Sequence, residues 1–125
     1  MIALDASALL AFLFRETGHE RVTPHLGSAC ISAVNLAEVL VRFARDGHDP
    51  AAVLEPIQAL RLEVVPYGEV DAVLSAGLLS RTSMRGLSLG DRACLALAAA
   101  RGIPALTADR TWLELDVGVA VESVR

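Results

Sequence analysis

The stretch Leu87–Asp109, "LSLGDRACLALAAARGIPALTAD", decides how this chain folds. Ser88 is a good helix N-cap, and Asp91 three residues later completes a capping box with a short acid. Small and apolar residues follow as far as Arg101, where Gly102 is a natural stop. "PALTA" then reads as a short buried strand. A buried helix that runs straight into a buried strand is half of a βαβ unit, so the sheet is parallel and covered on both faces.

The alternation extends in both directions. "MIAL" reads as a strand and "ASALLAFLF" as a helix, with a second short helix over Gly18–Leu26. "ACI" is a strand, and Ser32 caps a helix that runs to Arg45 and is broken by "GHDP". "AAVLEPIQAL" is another helix, in which Pro56 is an uncomfortable guest. "LEVVP" is a strand, Tyr67–Arg85 is mostly helix, and "GVAVES" is a last short strand. The 125 residues suit a single domain spanning 1–125.

Hydrophobic residues make up 54% of the chain, enough to expect a partner or self-association to cover part of the surface. No apolar run reaches the ~20 residues of a membrane span. The apolar N-terminus lacks a basic leader and carries Asp5, so it reads as strand and helix rather than a signal peptide. The net charge of -4 disfavours general nucleic-acid binding but says little about a local site. All 11 basic residues are Arg, which rules out a P-loop lysine or a Schiff base. Cys30 and Cys94 lie far apart in apolar settings without zinc spacing, and read as buried hydrophobes of a reducing, cytoplasmic protein.

Of the 15 Asp and Glu residues, four interrupt apolar or small-residue windows. They are Asp5 in "IALDAS", Glu38 in "NLAEVL", Asp91 in "SLGDRAC" and Asp109 in "ALTADR". In a parallel sheet Asp5 and Asp109 follow strands at the carboxyl edge, and the helices holding Glu38 and Asp91 begin at that edge. Glu38 sits about 9 Å down its helix, within reach for a long side chain. This is the crevice where open α/β sheets bind ligands. Taken singly, each acid has a plainer reading: caps for Asp5, Asp91 and Asp109, and an i,i+4 pair with Arg42 for Glu38. Four at one edge are costly together, since one like-charge pair at 4 Å costs about 4 kcal/mol at an effective dielectric near 20. With no Lys and no nearby His, a hard divalent cation is the natural counter-charge.

"LDASALLAFL", "ISAVNLAEVL" and "GLSLGDRACLALAAARGIPALTADRTW" together resemble PIN-domain nucleases, and more narrowly VapC-type toxins of bacterial toxin–antitoxin pairs. The likeness covers nearly the whole chain. It implies a three-layer α/β/α sandwich around a parallel sheet of about 4–5 strands, and an endoribonuclease dependent on Mg²⁺ or Mn²⁺. On that likeness Asp5, Glu38 and Asp91 match the core acids and Asp109 the fourth. Ser7 and Thr107 match small hydroxyl positions beside the site, and Asn35 the polar residue before Glu38. An RNA substrate, a cognate VapB-like antitoxin and a homodimer are the implied partners. The cation would activate water and offset charge at the phosphodiester, with no His base needed. Arg92, Arg110 and Arg85 are candidate RNA-phosphate contacts. Trp112 and Leu113 read as core packing, and Leu36, Val39, Leu40 and Phe43 as core or dimer face.

A haloacid-dehalogenase-type phosphatase also opens with a strand ending in Asp, but needs a second Asp where Ser7 stands, and a Lys. A phospho-receiver domain fails for similar reasons. An inactive PIN-like module that binds RNA or protein is the alternative, which the complete set of four acids disfavours.

Overall fold

The computed structural model describes residues 1–82 and 86–125. Its five strands are β1 (Ile2–Leu4), β2 (Ala29–Ser32), β3 (Glu63–Val65), β4 (Ala105–Thr107) and β5 (Val121–Ser123). They form one sheet in the order β3-β2-β1-β4-β5, every pairing parallel. The chain adds β2 and β3 on one side of β1, then crosses back to add β4 and β5 on the other. The switch point therefore lies between β1 and β4, at the carboxyl ends of two fully buried strands.

Six helices cover this sheet: α1 (Ala6–Leu13), α2 (Ala33–Arg45), α3 (Pro50–Gln58), α4 (Glu69–Gly77), α5 (Leu79–Thr82) and α6 (Leu89–Arg101). Strand alternation sorts them into two layers. Ala3, Cys30 and Ala105 pack against Cys94, Leu95, Leu97 and Ala98 of α6, with Trp112 beneath. Ile2, Leu4, Ala29 and Leu106 face the other way, onto Ala8 and Ala11 of α1. Ala6, Leu9, Ile31, Val39 and Ile57 extend that second layer through α2 and α3. The result is the α/β/α sandwich expected from the sequence.

Local chemistry sets the helix ends. Ser32 Oγ accepts from the Val34 amide at the start of α2. Asp49 caps α3, which opens on Pro50. Gly102 closes α6 in the left-handed region at φ 62°, where a side chain would be strained. Pro56 stands inside α3 on its exposed side, where it lacks the amide that the carbonyl one turn earlier would otherwise bond.

The structure corrects two expectations, the helix over Gly18–Leu26 and the burial of Leu113, and adds detail to two others. The helix expected over Gly18–Leu26 is instead two 3-10 turns, His19–Arg21 and Thr23–Ser28, because Pro24 and Gly27 interrupt an α-helical ladder. The helix expected over Tyr67–Arg85 divides into α4 and α5 at Leu78, and its end at residues 83–85 lies outside the described residues. Leu113 is exposed, although its neighbour Trp112 is fully buried. Leu36, Leu40 and Phe43, partly buried, pack against buried Val39 at the edge of the core. Cys30 and Cys94 are both buried, and burial raises both thiol pKa values, so neither is poised as a nucleophile. Among the described residues no helix is long and apolar enough to cross a membrane.

Candidate active site

Asp5 leaves β1 at the switch point in an extended conformation and precedes α1, yet its side chain does not cap that helix. Its Oδ2 accepts instead from Ser7 Oγ at 2.6 Å and from Thr107 Oγ1 at 3.1 Å. Each hydroxyl is oriented in turn by a backbone amide of the β4 exit loop. Ala108 N donates to Ser7 Oγ at 2.9 Å, and Asp109 N donates to Thr107 Oγ1 at 3.0 Å. With a lone pair of each hydroxyl occupied this way, its single proton is left for Asp5 or for the other hydroxyl, 3.2 Å away. The first turn of α1 and the end of β4, far apart in the chain, thus hold one carboxylate between them.

Glu38 is placed by a different device. Asn35, fully buried one turn earlier on α2, donates through Nδ2 to Glu38 Oε1 at 3.0 Å and to the Gly90 carbonyl at 2.9 Å. This ties α2 to the first turn of α6. A Cβ on Gly90 would fall inside the Glu38 carboxylate, so that carboxylate occupies the space glycine leaves open. There it meets the positive end of the α6 dipole. The pairing with Arg42 that sequence spacing allows is not made. Arg42 instead sits 4.9 Å over the Phe14 ring, with Nε 3.7 Å from Asp46.

Asp91 forms the expected capping box: Ser88 N donates to its Oδ2 at 2.9 Å, and Asp91 N donates to Ser88 Oγ at 3.2 Å. Asp109 is an N-cap too, its Oδ1 accepting from Thr111 N at 2.9 Å and Thr111 Oγ1 at 2.6 Å.

Asp5, Glu38 and Asp91, delivered by three separate segments, line one cavity of about 590 Å³ together with Ser7, Arg42 and Arg45. Asp109 lies next door, in a cavity of about 580 Å³ that also holds Arg110 and shares Ser7, Leu10 and Arg42 with the first. Asp5 is 4% exposed, and its pKa is raised from 3.8 to about 6. Burial is the main cause, the Ser7 and Thr107 hydrogen bonds oppose it, and the charges of Asp91 and Glu38 add to it. Glu38 is also pushed up, by burial and then by Asp91, against the pull of Asn35.

As the side chains lie, no three His, Cys, Asp or Glu groups among the described residues converge tightly enough to grip an ion. Asp91 has one oxygen engaged in its cap. The donor chemistry nevertheless fits a hard divalent cation: all oxygen, no thiolate or imidazole, and carboxylates that repel one another. Asp5 Oδ1 and Asp91 Oδ1 accept no hydrogen bond among the described residues, so an oxygen of each remains to be offered.

Among the arginines expected to meet RNA, Arg110 lines the second cavity. Arg92 donates to the Leu87 carbonyl at 2.6 Å and lines neither cavity. Arg85 lies outside the described residues. Sequence reasoning missed Gly90, Arg42 and Arg45. Only Gly90 left a signal, a glycine within a helix otherwise built of good helix formers.

The model of the PIN domain family matches residues 2–118. No curated protein matches the sequence. Among solved structures, the chain is similar to a toxin–antitoxin complex from Klebsiella pneumoniae, with TM-score 0.77 and 17% identity, covering 100% of this chain and 98% of that one. It is similar to DNA-bound VapBC from Salmonella typhimurium, with TM-score 0.74 and 21% identity, covering 100% of both chains. PAE2754 from Pyrobaculum aerophilum matches with TM-score 0.62 and 25% identity over 98% of this chain and 83% of that one. The low identities to the two toxin–antitoxin complexes make those likenesses ones of fold.

Proposed function

The chain belongs to the PIN domain family, and from that premise we propose that it is a single-domain, Mg²⁺- or Mn²⁺-dependent endoribonuclease, the toxin of a VapBC-type pair. The observation that carries the reading is the meeting of Asp5, Glu38 and Asp91 in one cavity from three separate segments. Packing does not require that meeting: it leaves Asp5 buried at a cost, and its pKa rises accordingly.

Asp5, Glu38 and Asp91 would hold the cation, with Asp109 completing the acidic set from the adjoining cavity. When bound, the ion supplies Lewis-acid polarisation of phosphate and lowers the pKa of water. The chain's own residues do the positioning. Ser7 and Thr107 keep Asp5 ionised and fixed, Asn35 aims Glu38, and Ser88 holds Asp91 at the helix start. Preorganised carboxylates lower the reorganisation needed when the ion and phosphodiester arrive.

The family resemblance supports RNA as substrate, and the neighbouring toxin–antitoxin complexes support a VapB-like antitoxin as partner. A homodimer accords with the exposed apolar side chains Val70, Val73, Leu74 and Leu79 along α4 and α5. Two free, buried cysteines accord with a reducing, cytoplasmic setting.

The test is direct. Protein freed of antitoxin should cleave RNA with Mg²⁺ or Mn²⁺, stop in EDTA, and lose cleavage in Asp5→Ala. RNA binding with no cleavage under any divalent ion would identify the chain as an inactive binding module. Cleavage undiminished in Asp5→Ala would remove the assignment.

A further inference from the structure

Of the cavity beside the acids the reading so far uses only Asp109 and, as a candidate RNA contact, Arg110, while the charge of its lining is opposite in sign. It is lined by three arginines, Arg42, Arg110 and Arg125, against two acids, Glu16 and Asp109. Glu16 and Arg125 pair with each other, which leaves Arg42 and Arg110 beside the single carboxylate of Asp109. Asp109 is held by the Thr111 amide and hydroxyl, and Glu16 faces Arg125 across 3.9 Å.

Arg42 belongs to both cavities and marks the passage between them, with Ser7 and Leu10 as the shared floor. It is also pre-positioned. Stacking on Phe14 and the contact from Nε to Asp46 fix the side chain, while its terminal nitrogens make no hydrogen bond among the described residues. A guanidinium anchored at one edge and open at the other suits a phosphate, which accepts two parallel N–H bonds.

We infer that the arginine-lined cavity is a subsite for the phosphodiester next to the one cleaved, with Arg42 its principal contact and Arg110 and Arg125 its outer wall. This rests on the nuclease reading and extends it. A strand held only at the reacting phosphate is free to pivot, whereas a second hold one linkage away fixes its direction across the acids. The polar lining and the excess of guanidinium over carboxylate select a nucleic-acid backbone over an acidic peptide, because the walls offer no apolar anchor apart from Leu10 and Ala108.

The experiment uses the whole chain, Mg²⁺, and short RNA oligonucleotides carrying one uncharged methylphosphonate at successive linkages around the cleavage point. For the unmodified chain, neutralising one flanking linkage should lower kcat/KM by about 10- to 100-fold, the range expected for losing a hydrogen bond to a charged group. Arg42→Gln should lose a similar factor on ordinary RNA, and then be indifferent to that same neutral linkage. Its binding in EDTA should also lose about 0.7 from the slope of log affinity against log salt. Arg81→Gln, which lines neither cavity, is the folding and charge control, and should respond to the modified linkage as the unaltered chain does. Equal sensitivity to every neutral linkage in the unaltered and Arg42→Gln chains would overturn the subsite. So would Arg42, Arg110 and Arg125 variants that cleave RNA normally yet lose an antitoxin. Absence of cleavage by the unaltered chain would instead remove the nuclease reading beneath it.

Discussion

Replacing Asp5 with Asn should make the metal-free protein more stable while abolishing its activity. Asn is nearly isosteric and can still accept from Ser7 and Thr107 through its amide oxygen. The rise from 3.8 to about 6 means that keeping Asp5 ionised at neutral pH forfeits about 3 kcal/mol of folding free energy. The sign follows from proton affinity: the folded carboxyl binds a proton more readily than the unfolded one. The penalty is therefore complete above about pH 6, shrinks as pH falls, and vanishes below 3.8. Loss of charge assistance in two hydroxyl bonds offsets about 1–2 kcal/mol of the gain, leaving a net of about 1–2 kcal/mol at pH 7.5. For a domain of this size that is a rise in Tm of about 4–8 °C. Thermal unfolding in EDTA at pH 4 to 8 checks it, with the gap between the two proteins closing toward pH 4. Adding Mg²⁺ should then raise the Tm of the unaltered chain, by about 2.7 kcal/mol at a hundred times Kd, and leave Asp5→Asn nearly still. A variant less stable than the unaltered chain at pH 7.5, or a gap that does not change with pH, would refute the reasoning.

Three further outcomes follow from the geometry. Gly90→Ala gains about 1 kcal/mol of helix propensity but drives Glu38 out of its place, so cleavage should fall by about 100-fold with circular dichroism and Tm almost unchanged. Asn35→Ala leaves the Gly90 carbonyl without its partner between α2 and α6, and should cost about 1–3 kcal/mol in urea unfolding. Asp109→Ala removes an N-cap and lies in the adjoining cavity. It should lose about 1 kcal/mol of stability and impair cleavage less than Asp91→Asn, measured on the same RNA.

Much of the molecule was legible before any coordinates. Ser32, Ser88 and Gly102 announce helix ends through local hydrogen bonding and backbone freedom, and all three act as expected. The five short apolar strands and the helices between them imply a parallel sheet, because such strands must bury both faces. The acids were visible as polar interruptions in apolar windows. The failures are equally local: Gly18–Leu26 had helical hydrophobicity but not the uninterrupted amides a helix requires, and Leu113 was grouped with Trp112 although a 3-10 turn points neighbouring side chains apart.

Composition and periodicity by themselves determined the class of fold, the segments that carry the acids, and the edge at which those segments end. They could do so because capping and alternation act over a few residues. Only the tertiary structure decided that Asp5 leans on hydroxyls from α1 and β4, and that Glu38 rests over Gly90. It also decided that Arg42 turns toward Phe14 and Asp46, and that Asp109 stands in a separate cavity from the other three. These are contacts between segments far apart in the chain, and the direction of a side chain there is set by the neighbour that packing brings to it.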